Sequence, residues 1–300
     1  KSNKLIFTLT GIGHFLVHFA TMILRAILIL LETEFNITLV QLGSLVTIQI
    51  MCMGLGGLPA GIMVDRFGSR KILIIYFTGL VLIGFWLYIS KSYLDMVLGM
   101  GVLGLITGLY HPAGLKIVSH AQNVSKYMAY HGVFGSLGLA AGPLFGGWIG
   151  MVINWRSSYL LVSLLGIIGL LLATLYPEKK VVRIWPSLKI NLTSAHGLIF
   201  MVAALWGLAH HGLFNFLPYY FSERVSFGSD AVAISGSLTG LVLLIGIVGQ
   251  LTGGKMGAKY TRRNLQMWVV ALNIPFLLLM SAMDGAPLII IVCMLGIVNF

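Results

Sequence analysis

The sequence predicts an all-α polytopic membrane protein, and its composition and the spacing of its charges are the observations that predict it. Apolar residues make up 58% of the 300 residues and charged residues only 9%, which is more apolar surface than a soluble core can bury. The charges fall in short clusters between apolar runs long enough to cross ~30 Å of hydrocarbon. We expect helices to span, because a helix satisfies its backbone hydrogen bonds within one segment, whereas a membrane barrel would show short alternating strands.

The apolar runs divide into nine complete spans and part of a tenth. Cys52 and Cys293 both lie inside such runs, so neither is expected to form a disulfide. The chain starts at Lys1 and stops at Phe300 inside an apolar run, and we therefore expect a fragment, shortened mainly at its C-terminal side. The predicted spans are 5–31, 39–63, 72–90, 94–119, 128–150, 155–176, 197–221, 231–256, 265–283 and 287–300.

The Lys and Arg residues predict the orientation of these spans. If the N-terminus is cytoplasmic, the inner segments carry fifteen of these bases and the outer segments only three. The net charge of +11 is then explained by loops on one face of a lipid bilayer, and no nucleic-acid partner is expected. We expect an integral protein of the bacterial cytoplasmic (inner) membrane with a cytoplasmic N-terminus.

The chain is predicted to divide after six spans, at the basic, proline-containing break 177–195. Residues 1–176 would form an N-terminal six-helix bundle and 177–195 a cytoplasmic linker. Residues 196–300 would form the first three helices and part of the fourth of a C-terminal bundle.

The two halves also repeat in sequence. A shift of 193 residues places His18 on His211 and Arg70 on Arg263. Two parallel repeats of six spans are typical of transporters that hold a substrate near the midplane between the halves. By this symmetry roughly 70 residues would be missing after Phe300.

The segment Gly57–Lys71 is a short basic hinge between the second and third predicted spans, with one acid, Asp65. It resembles the loop between the second and third helices of the Major Facilitator Superfamily, whose pattern is G-x-L-a-D-r-x-G-r-[RK]. In that family the acid pairs with groups of the other bundle and holds one conformation, so the resemblance implies a conformational latch; an ordinary basic loop is the alternative. The matching residues are Gly57, Leu58, Asp65, Arg66, Gly68, Arg70 and Lys71.

The second copy of this hinge is degraded. Ala258 stands where the first copy has Asp65, and Thr261 where it has Gly68. Gly68 permits a tight turn, and Asp65 precedes the third span, where the helix dipole favours an anion. We therefore expect the first copy to be the latch and the second to be chiefly an anchor at the inner face.

The fifth span contains a second match to the family, GSLGLAAGPLFGGW, on the pattern g-x-x-x-G-P-x-x-G-G. In the family this pattern is associated with exporters that exchange substrate against protons. The glycines also form a stripe of small residues that lets another helix approach closely, so packing alone is the alternative. The residues concerned are Gly138, Gly142, Pro143 and Gly146.

A looser resemblance is to the fosmidomycin-resistance branch of the family. It is carried by Gly13–His14–Phe15, by Tyr110–Gly114 and by His131–Gly132. This resemblance implies efflux. The fourth span departs from the family pattern, because Met100 and Gly101 occupy the neighbourhood of an arginine usually linked to proton transfer. The proton is therefore one candidate coupling ion, and proton-coupled antiport remains open.

The candidate substrate or coupling residues are the ionisable groups deep in the spans, and no Asp or Glu is among them. Such groups are costly in lipid and usually face a wet cavity. In a two-bundle fold the first and seventh helices line the cavity, so His18 and His211 should approach it from opposite halves. The candidates are His14, His18, Arg25, His111, His210 and His211.

Each candidate also has a plainer interpretation. A histidine can carry a proton near neutral pH, but it can also simply bond a neighbouring helix, and His131 is expected to be structural. Arg25 can hold an anionic group or extend toward the outer surface near Glu32. His14 and His18, four residues apart, could form half of a metal site with His210 or His211. No Cys or carboxylate completes it, so neither a metal nor a cofactor is predicted.

These observations favour a secondary transporter that moves a small anionic or neutral solute by alternating access, as an exporter or a proton-coupled antiporter. No nucleophile–base pair emerges, so an enzyme is not predicted. The alternatives are a non-transporting membrane sensor or assembly scaffold with the same fold, and a metal-ion or other uptake transporter.

Overall fold

The computed structural model describes residues 2–121, 123–177, 193–225, 228–257 and 259–299, and within them every regular element is helical. A π-helical turn, Gly150–Asn154, joins α6 to α7, and a 3-10 turn, Gly228–Asp230, precedes α10. The helices are α1 Ser2–Phe35, α2 Leu39–Phe67, α3 Ser69–Ile89, α4 Tyr93–Gly108, α5 Tyr110–Ser119, α6 Val124–Ile149, α7 Trp155–Leu175, α8 Ser194–Asn215, α9 Leu217–Arg224, α10 Ala231–Gly257, α11 Arg262–Ala282 and α12 Gly285–Asn299.

Eight helical stretches of the described chain are long and apolar enough to cross a membrane. One of them, Lys126–Leu175, contains both the fifth and the sixth predicted spans, and the shorter α12 covers the last. The all-α membrane fold expected from the sequence is therefore confirmed. The predicted linker 177–195 lies largely outside the described residues.

Two predicted spans are each broken into two helices. The span predicted at 94–119 breaks at Leu109, because Pro112 has no N–H to donate to the carbonyl of Gly108. The span predicted at 197–221 breaks at Phe216, and Pro218 lies in the first turn of α9, where a missing N–H costs nothing. Both breaks face the middle of the molecule and so shape the site described below.

The predicted hinge over Gly57–Lys71 is shorter in the structure than in the sequence analysis. Helix α2 continues to Phe67, and α3 begins at Ser69. Only Gly68 interrupts them, with φ 89°, a left-handed conformation that glycine adopts without strain. The span prediction stopped where the apolar run stops, whereas the helix continues through charged residues because their backbone hydrogen bonds form equally well.

The helix bounds repeat with the offset found in the sequence. Helix α11, Arg262–Ala282, begins and ends 193 residues after α3, Ser69–Ile89 (262 − 69 = 193 and 282 − 89 = 193). Helices α8 and α9 together correspond to α1, α10 to α2 and α12 to α4 within a few residues. The repeat is thus a repeat of structure as well as of sequence.

Helix α6 packs against one helix from each half through its small residues. On one side, side chains added at Gly138 or Gly142 would collide with the backbone of α1 at Phe15 or Phe19. On the other side, the carbonyl of Pro143 closely approaches Gly236 of α10. Gly146 also lies against Ile23 of α1. The contact between α6 and α10 joins the two halves beside the site, whereas the contacts with α1 lie within the first half.

Candidate functional site

A cavity of about 560 Å³ lies between the two halves. Helices α1, α2, α4, α5 and α6 contribute to it from the first half, and α8 and α10 from the second. Small-molecule sites typically measure ~300–1,000 Å³ and combine apolar walls with a few polar groups. The polar side chains that line this cavity are His18, Thr21, Arg25, Gln49, His111, His210, His211 and Asn215.

Arg25 is buried at the wall of this cavity, with only 3% of its surface exposed. Its Nε donates to Oδ1 of Asn215, 3.0 Å away, and so crosses from α1 to α8. Its Nη1 donates to the carbonyl of Thr21 and to Oε1 of Gln49. The alternative in which Arg25 extends to the outer surface is not what the structure shows.

The partners of Arg25 are all neutral. The three ion pairs of the described residues involve other groups, so no carboxylate of this part of the chain neutralises Arg25. The hydrogen bonds that Arg25 forms with described residues use Nε and Nη1. The two N–H groups of Nη2 form no hydrogen bond with the described residues.

The first half holds a cluster of histidines. Nδ1 of His14 donates to the carbonyl of His131 over 2.6 Å, and Nε2 of His14 and Nε2 of His18 are 3.1 Å apart. The ring of His111 lies 5.2 Å from that of His14, centroid to centroid. His18 and His111 line the cavity, whereas His14 lies behind them.

The second half contributes an adjacent pair, His210 and His211, on α8. Both line the cavity, and Asn215 follows His211 by four residues, which places the two on one face of the helix. His18 and His211, which the repeat superimposes, thus lie at one cavity from opposite halves. The structure brings all the candidate residues except His14 to the wall of a single cavity.

Comparison with known proteins identifies the fold. The family model for the Major Facilitator Superfamily matches residues 10–300. The chain belongs to the Major Facilitator Superfamily. The incomplete fold of two pseudo-symmetric six-helix bundles that the resemblance implied is thereby confirmed, and the chain is an integral membrane protein with the fold of transporters rather than of an enzyme family.

Individual relatives are distant. The Staphylococcus aureus quinolone resistance protein NorB is 25% identical over 182 residues, and the match covers 60% of this chain but only 38% of that protein. A bacterial homologue of the human lysosomal transporter Spinster superimposes with a TM-score of 0.71 at 15% identity, covering 99% of this chain and 72% of the other. The xylose transporter XylE of E. coli gives 0.70 at 15% identity, covering 98% and 79%.

Of the hinge Gly57–Lys71, the charged residues do not line the cavity. Asp65 forms an ion pair with Lys116 of α5, Nζ to Oδ1 2.7 Å. Lys116 belongs to the same half, whereas the family pattern implied a partner in the other bundle. Since both side chains are a third to a half exposed, this pair contributes little to stability by itself.

The other hinge residues take different positions. Arg70 donates to the carbonyl of Thr174 at the end of α7, and the guanidinium of Arg66 lies 5.2 Å from the ring centroid of Phe67. Lys71 is exposed. Gly57 is not in the turn at all, because it lies within α2 at the cavity wall.

Sequence analysis did not single out the partners of Arg25. Gln49 and Asn215 carry no pattern, because each is a single amide in an apolar helix. Their depth in a span was the signal that could have found them. His131, which was expected to be structural, is buried, with its ring stacked 3.9 Å from that of His14.

Proposed function

We propose that this chain is part of a secondary transporter that moves a small anionic solute through the cavity between its halves by alternating access. The observation that carries this proposal is Arg25, which is buried at the cavity wall with neutral partners. A buried cation without a counter-charge is costly, and an anionic substrate group would supply that charge. Neutral solutes that accept hydrogen bonds from Nη2 are the weaker form of the same proposal.

The bond from Arg25 to Asn215 suggests how binding is coupled to movement. It joins α1 of the first half to α8 of the second. A substrate carboxylate or phosphate would compete with the amide oxygen of Asn215, because a guanidinium can bind such an anion through two parallel charge-assisted hydrogen bonds. Substrate binding would then weaken a contact between the halves, which is what an alternating-access cycle requires.

Export is the direction we propose. The fifth-span pattern of α6 favours an exporter, and NorB, the relative named above, is a quinolone resistance protein. His18 and His211 are the groups proposed to carry a proton in exchange. The protein is proposed to lie in a bacterial cytoplasmic membrane. Its N-terminus and the base-rich segments, such as the hinge Gly57–Lys71, are proposed to lie on the cytoplasmic side.

A flux assay on the full-length protein in proteoliposomes tests the proposal. A panel of labelled organic anions, organic cations and neutral solutes is measured with and without a pH gradient. We expect saturable flux for a subset of the anions and a stronger flux when the gradient is imposed. Selective transport of cations would overturn the role of Arg25. Flux that is the same with and without the pH gradient would exclude the proton as the coupling ion.

The non-transporting sensor or scaffold makes the opposite prediction. It would show no saturable flux for any solute in the panel, even where a ligand protects it against heat denaturation. Binding without flux in protein shown to be correctly oriented and folded would therefore decide for that alternative.

A further inference from the structure

We propose that His14, His18 and His111 form a binding site for a divalent transition-metal ion of the zinc, nickel or cobalt class. One ligand nitrogen from each of the three rings lies within 4.8 Å of the others. Neutral imidazole suits such ions, and three histidines with one open position form a known type of zinc site. The proposal goes beyond the transport of an anionic solute and does not depend on it. A bound ion would occupy the lone pair of His18, so His211 alone of the two proposed proton carriers would then be free to titrate.

The first two ligands are four residues apart on α1, so they share one face of the helix. Their Nε2 atoms are 3.1 Å apart. Two nitrogens bound to one tetrahedral zinc at ~2.0–2.1 Å are separated by about 3.3 Å. The pair therefore already has nearly the spacing that a shared ion requires.

The orientation of His14 is fixed by its second nitrogen. Nδ1 lies 2.6 Å from the carbonyl oxygen of His131, and a carbonyl can only accept, so Nδ1 carries the proton. Nε2 of the neutral ring then holds a lone pair. Metal-binding histidines commonly have this arrangement, in which a backbone carbonyl orients the ring from behind.

The third ligand is held in place by the residue before it. The hydroxyl of Tyr110 donates to the carbonyl of Thr10 on α1, and its ring fills the space above Gly13. Tyr110 thus fastens the start of α5 to α1 one residue away from His111. His111 follows the break at Leu109 by two residues.

A second, independent feature of the cluster points to a ligand. His131 is buried, with 6% of its surface exposed, and neither of its ring nitrogens has a hydrogen-bond partner among the described residues. Its ring stacks on His14. Buried polar groups are normally hydrogen-bonded, so the histidine cluster contains ring nitrogens that the described residues leave without a partner.

The open coordination position faces the cavity. His18 and His111 both line it, and His14 lies behind them. The ion would therefore be reached from the same aqueous pathway as a solute. Arg25 follows His18 by seven residues, about 10 Å along the helix, so the ion and the guanidinium would occupy separate positions in the cavity.

The test is equilibrium dialysis of the untagged full-length protein, purified in detergent and stripped of metal, against Zn²⁺, with the bound metal quantified. We expect one tightly bound Zn²⁺ per chain and a loss of about 100-fold in affinity for His14→Ala and for His111→Ala. His120→Ala is the matched control, because His120 is exposed and bonds only locally to Lys116 and Ser119. Its affinity should be unchanged.

A second measurement keeps the test decisive if a variant folds poorly. Zn²⁺ should raise the thermal midpoint of wild-type protein and of His120→Ala, but not that of His111→Gln, whose ligand nitrogen is replaced while its size is kept. Wild-type protein that binds no Zn²⁺, or variants that bind as wild type does, would overturn the proposal. The histidines would then form only a hydrogen-bonded cluster. Flux of anions in the same preparations reports separately on the proposed transport.

Discussion

The first helix of each half occupies an equivalent place in the fold but has a different chemistry. Helix α1 is continuous from Ser2 to Phe35, whereas its counterpart breaks at Phe216 into α8 and α9. The offset places Arg25 on Pro218 (25 + 193 = 218). The second half therefore has no counterpart of the buried cation at this position, and has in its place the proline in the first turn of α9.

Helices α1 and α8 are nevertheless joined by a hydrogen bond. Arg25 of α1 bonds Asn215 of α8, and His18 and His211 line one cavity. The comparison teaches that the repeat preserves the positions of the helices, while the residues at equivalent positions differ in their chemistry. The first half carries charge and the histidine cluster, and the second supplies neutral partners.

The largest effect is expected from placing a negative charge in the second half beside Arg25. Asn215→Asp would place a carboxylate beside Arg25, because Nε of Arg25 lies 3.0 Å from the amide oxygen Oδ1 of Asn215 that a carboxylate oxygen would replace. An internal anion would compete with a substrate anion, so we expect flux to fall by about 100-fold while the protein folds normally. Asn215→Ala, which removes a partner without adding charge, should cost about 10-fold or less. Equal flux in the two variants would contradict the inequality of the halves.

The next effect concerns the packing of α1. Gly138→Ala should lower the free energy of unfolding by about 1–3 kcal/mol, because the added methyl group meets the backbone of Phe15. Gly61→Ala is the matched control, since nothing lies within 4 Å of the added atom, and it should be neutral or slightly stabilising through helix propensity. Thermal unfolding in detergent measures both. Similar midpoints for the two variants would show that α1 and α6 are less tightly packed than described.

A smaller effect is expected where the two copies of the hinge are compared. Asp65→Asn removes the ion pair with Lys116 and should slow flux by about 10-fold if that pair holds one conformation of the cycle. Arg263→Gln changes the corresponding base of the degraded copy and should leave flux within about twofold. Proteoliposome rates at matched protein content give the ratio. Comparable rates would show that Gly57–Lys71 marks only the orientation of the helices in the membrane and is not a conformational latch.

The fold was predictable because the tendency of each segment to form a membrane-spanning helix depends on the residues of that segment alone. Apolar length predicts a span, and the match of His18 to His211 reveals the repeat without any contact being known. The extension of α2 to Phe67 was not predictable, since hydropathy marks where lipid ends and says nothing about where helical hydrogen bonds end.

The site was predictable only in its charged and titratable members. The depth of Arg25 in a span indicated a cavity, but its partners Gln49 and Asn215 depend on how three helices pack. The same holds for the histidines. Sequence spacing suggested that His210 or His211 would join His14 and His18, whereas the structure brings His111 to them instead. This proximity depends on how α5 packs against α1, which no single segment determines.

The central claim is that Arg25 holds an anionic group of the solute in the cavity. The most direct measurement is the flux of a transported organic anion through Arg25→Gln, Arg25→Lys and Arg224→Gln in proteoliposomes. Arg224 is the control because it is an exposed cation of the second half that pairs with Asp284, 3.0 Å away. We predict a loss of about 10- to 100-fold for Arg25→Gln, partial retention for Arg25→Lys and no change for Arg224→Gln. Wild-type flux through Arg25→Gln would contradict the account.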